Sequence, residues 1–395
     1  MWRRRKKTNL RIALFGPYMF ELAVGLRENP DNEVRLFLDD DTIPRSLRSE
    51  PALDDPGFVE VGPWISTRSI LRPRSSEIAK RLGGFDVALV TELGPIFAAA
   101  SRVPFVFIPT GWDLTCGPFP VRSRSSRNRG VNDLSALAVA YRLRLGIRMA
   151  IGIWGAPFAP FRTAAERLGR QLTDNLPQPI DMALFDPGRE LVGGRATEGD
   201  ISIFHPSRMM MTEDRFHVET GQWKRNDLLF EGVALAVADG IDARIRLLQR
   251  ASSPDQARAR EMIEDLKLTA QVEWVDAGTP DGFTWSELAD LYRSSDLVVD
   301  EFGGWFGLVA LEGAACGRPV LNRVDPLVME ELYPDGYPFL QASDAEQVAE
   351  VIVDLVDPGR RREVGEASRE WVLRHHDRSV VARRTESALA GLGFS

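Results

Sequence analysis

The sequence predicts an α/β protein of two doubly wound domains, each a parallel sheet with helices on its faces. Short apolar runs alternate with helical patterns along the 395 residues, the expected sign of parallel βαβ units. The alternation breaks at a turn-rich stretch, Leu176-Pro177 to Pro187-Gly188, and then begins again. Such a break is the usual place for a domain boundary. The length itself exceeds what one ordinary core serves.

In the first half, strands are expected over residues 11–15, 33–38, 87–91 and 105–108, with helical stretches over 20–28 and 76–82. Residues 134–154 form a long apolar-faced stretch that carries Arg142, Arg144 and Arg148, and 157–170 read as a helix. Glycines and charges over 188–199 read as an exposed linker. Beyond it, strands are expected over 201–205, 243–249, 271–275, 297–300 and 319–322. The intervening helices fall over 227–238, 253–266, 286–293 and 307–315. The tail from residue 345 is mostly helical. The expected domains are 1–187 and 188–365, with a tail over 366–395 packing back toward the first. In such sheets ligands bind at the carboxyl ends of the strands.

Composition narrows the function classes. A chain with 44% hydrophobic and 27% charged residues is an ordinary soluble globular protein. Cys116 and Cys316 are too few for a disulfide framework. The four histidines, His205, His217, His375 and His376, have no metal-ligand spacing with them, so no metal is expected and a reducing cytoplasm fits best. Met1–Lys7 are strongly basic, but the apolar run after them is short and broken by Arg11, which reads as a first buried strand rather than a signal or a span. Residues 1–180 hold 26 basic and 18 acidic side chains, and 181–395 hold 23 and 39, a net of +8 against −16. That asymmetry suggests different partners for the two halves.

The most informative segment runs from Asp296-Leu297-Val298-Val299 through Gly303-Gly304-Trp305-Phe306-Gly307-Leu308 and Glu312-Gly313 to Gly317-Arg318-Pro319-Val320. It reads as strand, glycine-rich loop, helix, tight turn and strand. Glycines 303, 304 and 307 let backbone approach a ligand. The amides at Gly307 and Leu308 open a helix and suit a phosphate. Glu312, about a turn and a half further on, can point a carboxylate at ribose hydroxyls. Upstream, Phe204-His205-Pro206-Ser207-Arg208 follows a strand and Lys224 precedes a helix.

These residues resemble the retaining glycosyltransferases of family 4, which have the GT-B fold of two Rossmann-like domains facing a cleft. Their second glutamate is matched by Glu312, their loop by Phe306-Gly307-Leu308, and their Cys-Gly-x-Pro-Val turn by 316–320. The resemblance implies that Arg208 and Lys224 clamp a donor diphosphate and stabilise the leaving nucleotide, since paired cations balance the developing charge. The family's first glutamate, which contacts the donor sugar, falls on Gly304; Asp300 and Glu301 stand just upstream as substitutes. The stretch 270–276 with Tyr292 resembles the part that holds the base. Gly16, after the first strand, corresponds to a glycine that approaches donor and acceptor.

In the first half, Thr110 stands where many relatives have a histidine, within Pro109-Thr110-Gly111-Trp112-Asp113. Because all four histidines lie beyond residue 200, no histidine base comes from this domain, and the donor phosphate can itself deprotonate the acceptor. Asp113 is the leading polar candidate there, with Glu92, Thr110 and Trp112 on the acceptor side; a helix cap for Asp113 and a solvent-facing strand end for Glu92 are the plainer alternatives. Arg122, Arg124, Arg127 and Arg129, with Arg142, Arg144 and Arg148, suit an anionic membrane surface or a lipid phosphate. Nucleic acid is not expected, since no aromatics interleave with them.

The expected activity is transfer of a sugar from a UDP- or GDP-linked donor to a glycan, lipid-linked or small-molecule acceptor, with retention, as in polysaccharide biosynthesis. It needs no cofactor, and its place is the cytoplasm, with peripheral contact at the inner face of the membrane. A non-catalytic GT-B binding or scaffolding protein and a sugar-nucleotide epimerase are the alternatives.

Overall fold

The structure is a computed structural model that describes residues 9–48, 50–119, 131–188, 200–250, 253–278 and 282–394. The basic leader 1–7, Arg122, Arg124, Arg127 and Arg129, and most of the expected linker (189–199) lie outside the described residues. The chain forms two compact units, Met1–Pro179 with Arg378–Ser395, and Ile180–Asp377.

The first unit holds six strands: β1 (Leu10–Phe15), β2 (Asn32–Asp39), β3 (Val59–Gly62), β4 (Val87–Val90), β5 (Phe105–Phe107) and β6 (Gly152–Ile153). All pair in parallel, in the order β3-β2-β1-β4-β5-β6. Ile12 of β1 stands opposite Val34 on one side and Val87 on the other. The four residues of β4 are all buried, because helices cover both faces of a parallel sheet and its strands read as continuous apolar runs. The order reverses between β1 and β4, so the turns after these two strands diverge to opposite faces and leave a crevice at their carboxyl ends. The last helix, Arg378–Gly391, belongs to this unit. Arg378 pairs with Glu21 at 3.2 Å, and Glu386 accepts from Asn29 at 2.7 Å and Asn32 at 2.6 Å.

The second unit repeats the plan with β7 (Asp200–His205), β8 (Asp242–Leu248), β9 (Val272–Val275), β10 (Leu297–Val299), β11 (Val320–Asn322) and β12 (Leu340–Gln341), ordered β12-β11-β10-β7-β8-β9. Its reversal falls between β7 and β10. Helix Leu308–Ala315 runs between β10 and β11 and is buried along most of its length. It stops at Gly317, whose φ of +69° lets the chain turn back.

The predicted α/β class and two-sheet plan are observed. Three strands lie outside the expected set: β3, β6 and β12, of four, two and two residues, each at a sheet edge, where pairing rather than local pattern makes the strand. The stretch 134–154 is not one element. It is the helix Val131–Met149 followed by β6, and a buried strand's apolar run cannot be told from a helix face by periodicity alone.

Gly16, at the end of β1, has φ of +121°, and a Cβ there would stand 2.1 Å from the Thr91 hydroxyl oxygen. Only glycine satisfies both constraints. Gly16→Ala is therefore expected to destabilise the first unit by about 2–4 kcal/mol. Urea unfolding followed by circular dichroism measures this, and an unchanged midpoint would contradict the reading.

Candidate functional site

The crevice at the carboxyl ends of β7 and β10 gathers charged side chains from four loops. His205 closes β7 with no exposed surface. Its Nδ1 lies 2.8 Å from the Val299 carbonyl and its Nε2 2.8 Å from the Asn226 amide nitrogen. Because the carbonyl only accepts and the amide donates, the proton sits on Nδ1. Burial holds the ring's pKa down at about 4, so it stays neutral. His205 is thus a local hydrogen-bonding residue. Asn226 also accepts the Met210 amide at 2.8 Å. The pair thereby fixes the Arg208 loop against the Lys224 loop.

Lys224 is tied by its backbone to both neighbours: its amide donates to Met210 and its carbonyl accepts from Phe302. Gly303 must be small there, since a Cβ would meet the Trp223 carbonyl at 2.6 Å. The Lys224 ammonium forms an ion pair with Glu301, with side-chain exposures of 17% and 12%. Burial, with Arg208 and Arg250 nearby, lowers its pKa to about 8, against the pull of Asp300. The Glu301 carboxylate works to keep it charged. Arg208 is half-buried, with no hydrogen bond or ion pair among the described residues.

Asp300 is almost fully buried. It accepts the Gly307 amide at 2.6 Å and the Ser207 hydroxyl at 3.3 Å, and burial raises its pKa. The Gly307 amide, expected to face a phosphate, is thus engaged by Asp300. The amides left to an anion at this helix start are those from Leu308 onward. Glu312 accepts the Tyr292 hydroxyl at 2.7 Å. Burial lifts its carboxyl to about 7, while Tyr292 and Arg250 favour the ionised form. Phe306 is buried in an aromatic cluster and stacks on Trp305 at 4.6 Å. Gly304 has φ of +102° and open space around a would-be Cβ. Trp274, expected near the base, carries Arg260 over its ring at 4.1 Å.

The residue that sequence reasoning missed is Arg250. It stands just past β8 and lies near enough to influence His205, Lys224, Tyr292 and Glu312 alike. Its signal was available: like Arg208, it is a cation directly after a strand.

In the first unit the candidates cluster at the carboxyl ends of β1, β4 and β5. Asp113 is fully buried and accepts amides of Glu92 at 2.9 Å, Thr110 at 2.9 Å and Gly111 at 3.0 Å. Burial pushes its carboxyl to about 7 against those donors. With no exposed surface, Asp113 fastens the loop at Glu92 to the loop at Thr110 and Gly111. It is not the cap of helix Trp112–Thr115, since Gly111 holds that position. Glu92 keeps some exposure, adopts φ of +51°, and has its pKa raised by burial and by Asp39. A left-handed non-glycine residue is strained, and the Asp113 hydrogen bond to its amide holds it there. Thr110 is half-buried and Trp112 about half exposed.

A family model described as glycosyl transferase-like matches residues 258–387, which include Glu301 and Glu312 but not Arg208 or Lys224. The D-inositol 3-phosphate glycosyltransferase of Rhodococcus erythropolis is 38% identical over 104 residues, 25% of this chain and 22% of that protein. Its namesake from Pseudarthrobacter chlorophenolicus is 30% identical over 205 residues, 49% of this chain and 44% of that protein. The chain thus matches less than half the length of either relative. Among solved structures, Anabaena HepE in complex with UDP and glucose shares the fold with a TM-score of 0.63. It is 17% identical, over 96% of this chain and 99% of that one.

The raised Glu312 carboxyl has a stability consequence. Its usual value is 4.5 and its folded value about 7, so between these pH values the folded chain keeps a proton that the unfolded chain has lost. Stability from this group is full below pH 4.5 and falls by roughly 1 kcal/mol per pH unit up to pH 7. Glu312→Gln removes that loss. Its stability relative to the parent is expected to climb between pH 5 and 7 and then level off, and a pH-independent difference in urea unfolding would sink the assignment.

Proposed function

We propose that this chain, which belongs through its second unit to the group 1 glycosyltransferases and has the GT-B fold, transfers a sugar from a UDP- or GDP-linked donor with retention. The observation that carries the reading is that Arg208 and Arg250 lie near enough to lower the Lys224 pKa at the switch point of the second sheet, where Asp300 acts on Lys224 and accepts the Gly307 amide at the start of helix Leu308–Ala315. A diphosphate is the natural occupant: two negative phosphates meet three cations and the unpaired amides of a helix start. Glu312 lies inside that helix and takes the ribose hydroxyls, its ionised form supported by Arg250 and Tyr292.

Catalysis then rests on the leaving group. Arg208 and Lys224 neutralise charge as it develops on the nucleotide diphosphate, a type of stabilisation worth about 10²–10³ in rate for each donor removed. The same phosphate, freed of the sugar, takes the acceptor proton, which agrees with the absence of any histidine before residue 200. Glu301 is poised between two partners. Donor phosphate competes for Lys224, and the released Glu301 carboxylate can meet sugar hydroxyls that Gly304 cannot.

On the acceptor side, Glu92, Thr110 and Trp112 line the end of the first sheet. The relatives' acceptor, an inositol phosphate, is an anionic polyol, and an acceptor of that chemistry suits the net +8 of residues 1–180. A glycan or lipid-linked acceptor bearing phosphate fits the same field.

One observation favours a second reading, a GT-B protein that binds without turnover: the Lys224–Glu301 pair closes the lysine off. Incubation with UDP- and GDP-sugars, with and without inositol phosphate, decides between them by NMR of the products. Transfer with the donor's anomeric configuration kept is expected. Arg208→Ala should lower kcat/KM about 100-fold or more without loss of fold. Unchanged kinetics would remove the clamp, an altered free sugar nucleotide would mean an epimerase, and no turnover with any donor would leave the binding protein.

A further inference from the structure

In the first unit, the helix Val131–Met149 carries a row of exposed apolar residues that no described segment covers. Ala140, Leu143 and Ile147 are buried, whereas Leu137, Tyr141, Leu145 and Met149 are 52%, 55%, 39% and 58% exposed. These four recur every fourth residue and so share one side of the helix, a row roughly 18 Å long at 1.5 Å per residue. Single exposed apolar residues are ordinary, but a continuous row marks a surface that is covered in use.

Beside the row opens a cavity of about 510 Å³, lined by Leu71, Arg72, Arg74, Ile96, Arg142 and Leu145 among others, with no acidic side chain among the described residues of its wall. Arg72 and Arg74 are exposed and have no ion pair among the described residues. Arg142 donates to the Leu71 carbonyl at 3.0 Å, which aims its guanidinium at the rim. Arg144 and Arg148 flank the row on the same helix. Leu71, itself 48% exposed, extends the apolar surface to the far side of the cavity.

We propose that this face is the seat of an anionic phospholipid surface: lipid phosphates enter the cavity onto Arg72, Arg74 and Arg142, and Leu137, Tyr141, Leu145 and Met149 sink into the acyl boundary. A basic helix with an apolar row lies in a membrane interface by burying the row while its cations hold anionic headgroups. A second copy of the chain fits poorly, because a symmetric contact through this face would set uncompensated arginines against arginines. Among the described residues no helix is long and apolar enough to cross a membrane, so the contact is along the surface. The proposal does not rest on the nucleotide site, and either can fail without the other.

Vesicle flotation of the full chain tests it. The chain is expected to float with vesicles of phosphatidylcholine and phosphatidylglycerol, and to stay in solution with phosphatidylcholine alone. Each arginine near such a surface is worth roughly fivefold in partitioning, so Arg72→Gln with Arg74→Gln should weaken binding about 25-fold. Leu145→Asp with Met149→Asp should abolish it. All four positions are exposed, and unchanged thermal unfolding with unchanged nucleotide binding confirms that the variants fold. The proposal is overturned if the parent chain ignores anionic vesicles, or if it binds them while both double variants float as it does. That second outcome would move the contact to other basic segments of the chain.

Discussion

Taking a charge out of water is costly unless something compensates it, and the second unit is organised around that constraint. Lys224 sits largely out of water, and so do Asp300 and Glu312. Each is tolerable only because of its neighbours: Glu301 for the lysine, the Gly307 amide and Ser207 for Asp300, Tyr292 and Arg250 for Glu312. Removing one partner of such a set leaves a buried charge uncompensated and is strongly destabilising, whereas the intact set contributes little net stability. A ligand that brings two negative charges can exchange with Glu301 and relieve the crowding of three cations. The lowered lysine pKa and the raised carboxyl pKa values are two signs of this strained balance.

Neutral hydrogen bonds hold the charged loops in place. His205 and Asn226 join β7, β10 and the Lys224 loop without carrying charge themselves. The first unit uses the opposite device at the corresponding place. There a buried carboxyl, Asp113, gathers three backbone amides and holds Glu92 in a left-handed conformation. Both sheets thus place a fully buried polar residue behind the candidate groups at the carboxyl ends of their strands.

Much of the fold was legible because parallel strands buried on both faces leave plain apolar runs, as in β1, β4 and β7. Strands made by pairing alone, such as β6 and β12, leave no such trace. In the site, the motif residues Gly307 and Glu312 lie a few positions apart and can be read together. Arg250 could not be tied to Lys224 from sequence, because their proximity exists only once β8 has paired with β7. The engagement of Glu301 with a lysine 77 positions earlier and of Asp113 with an amide 21 positions earlier are likewise products of topology. Residue type announced that these groups are polar and near strand ends. Burial then decided which became anchors and which stayed open to a ligand.

We propose that a nucleoside diphosphate is held by the cations at the β7–β10 crevice. A crystal structure of the chain with UDP or GDP bound tests it most directly. The expected result is a diphosphate between Arg208 and Lys224 at the start of helix Leu308–Ala315, with ribose hydroxyls on Glu312 and the Lys224–Glu301 pair parted. A nucleotide seated elsewhere, with that ion pair intact, would contradict the account.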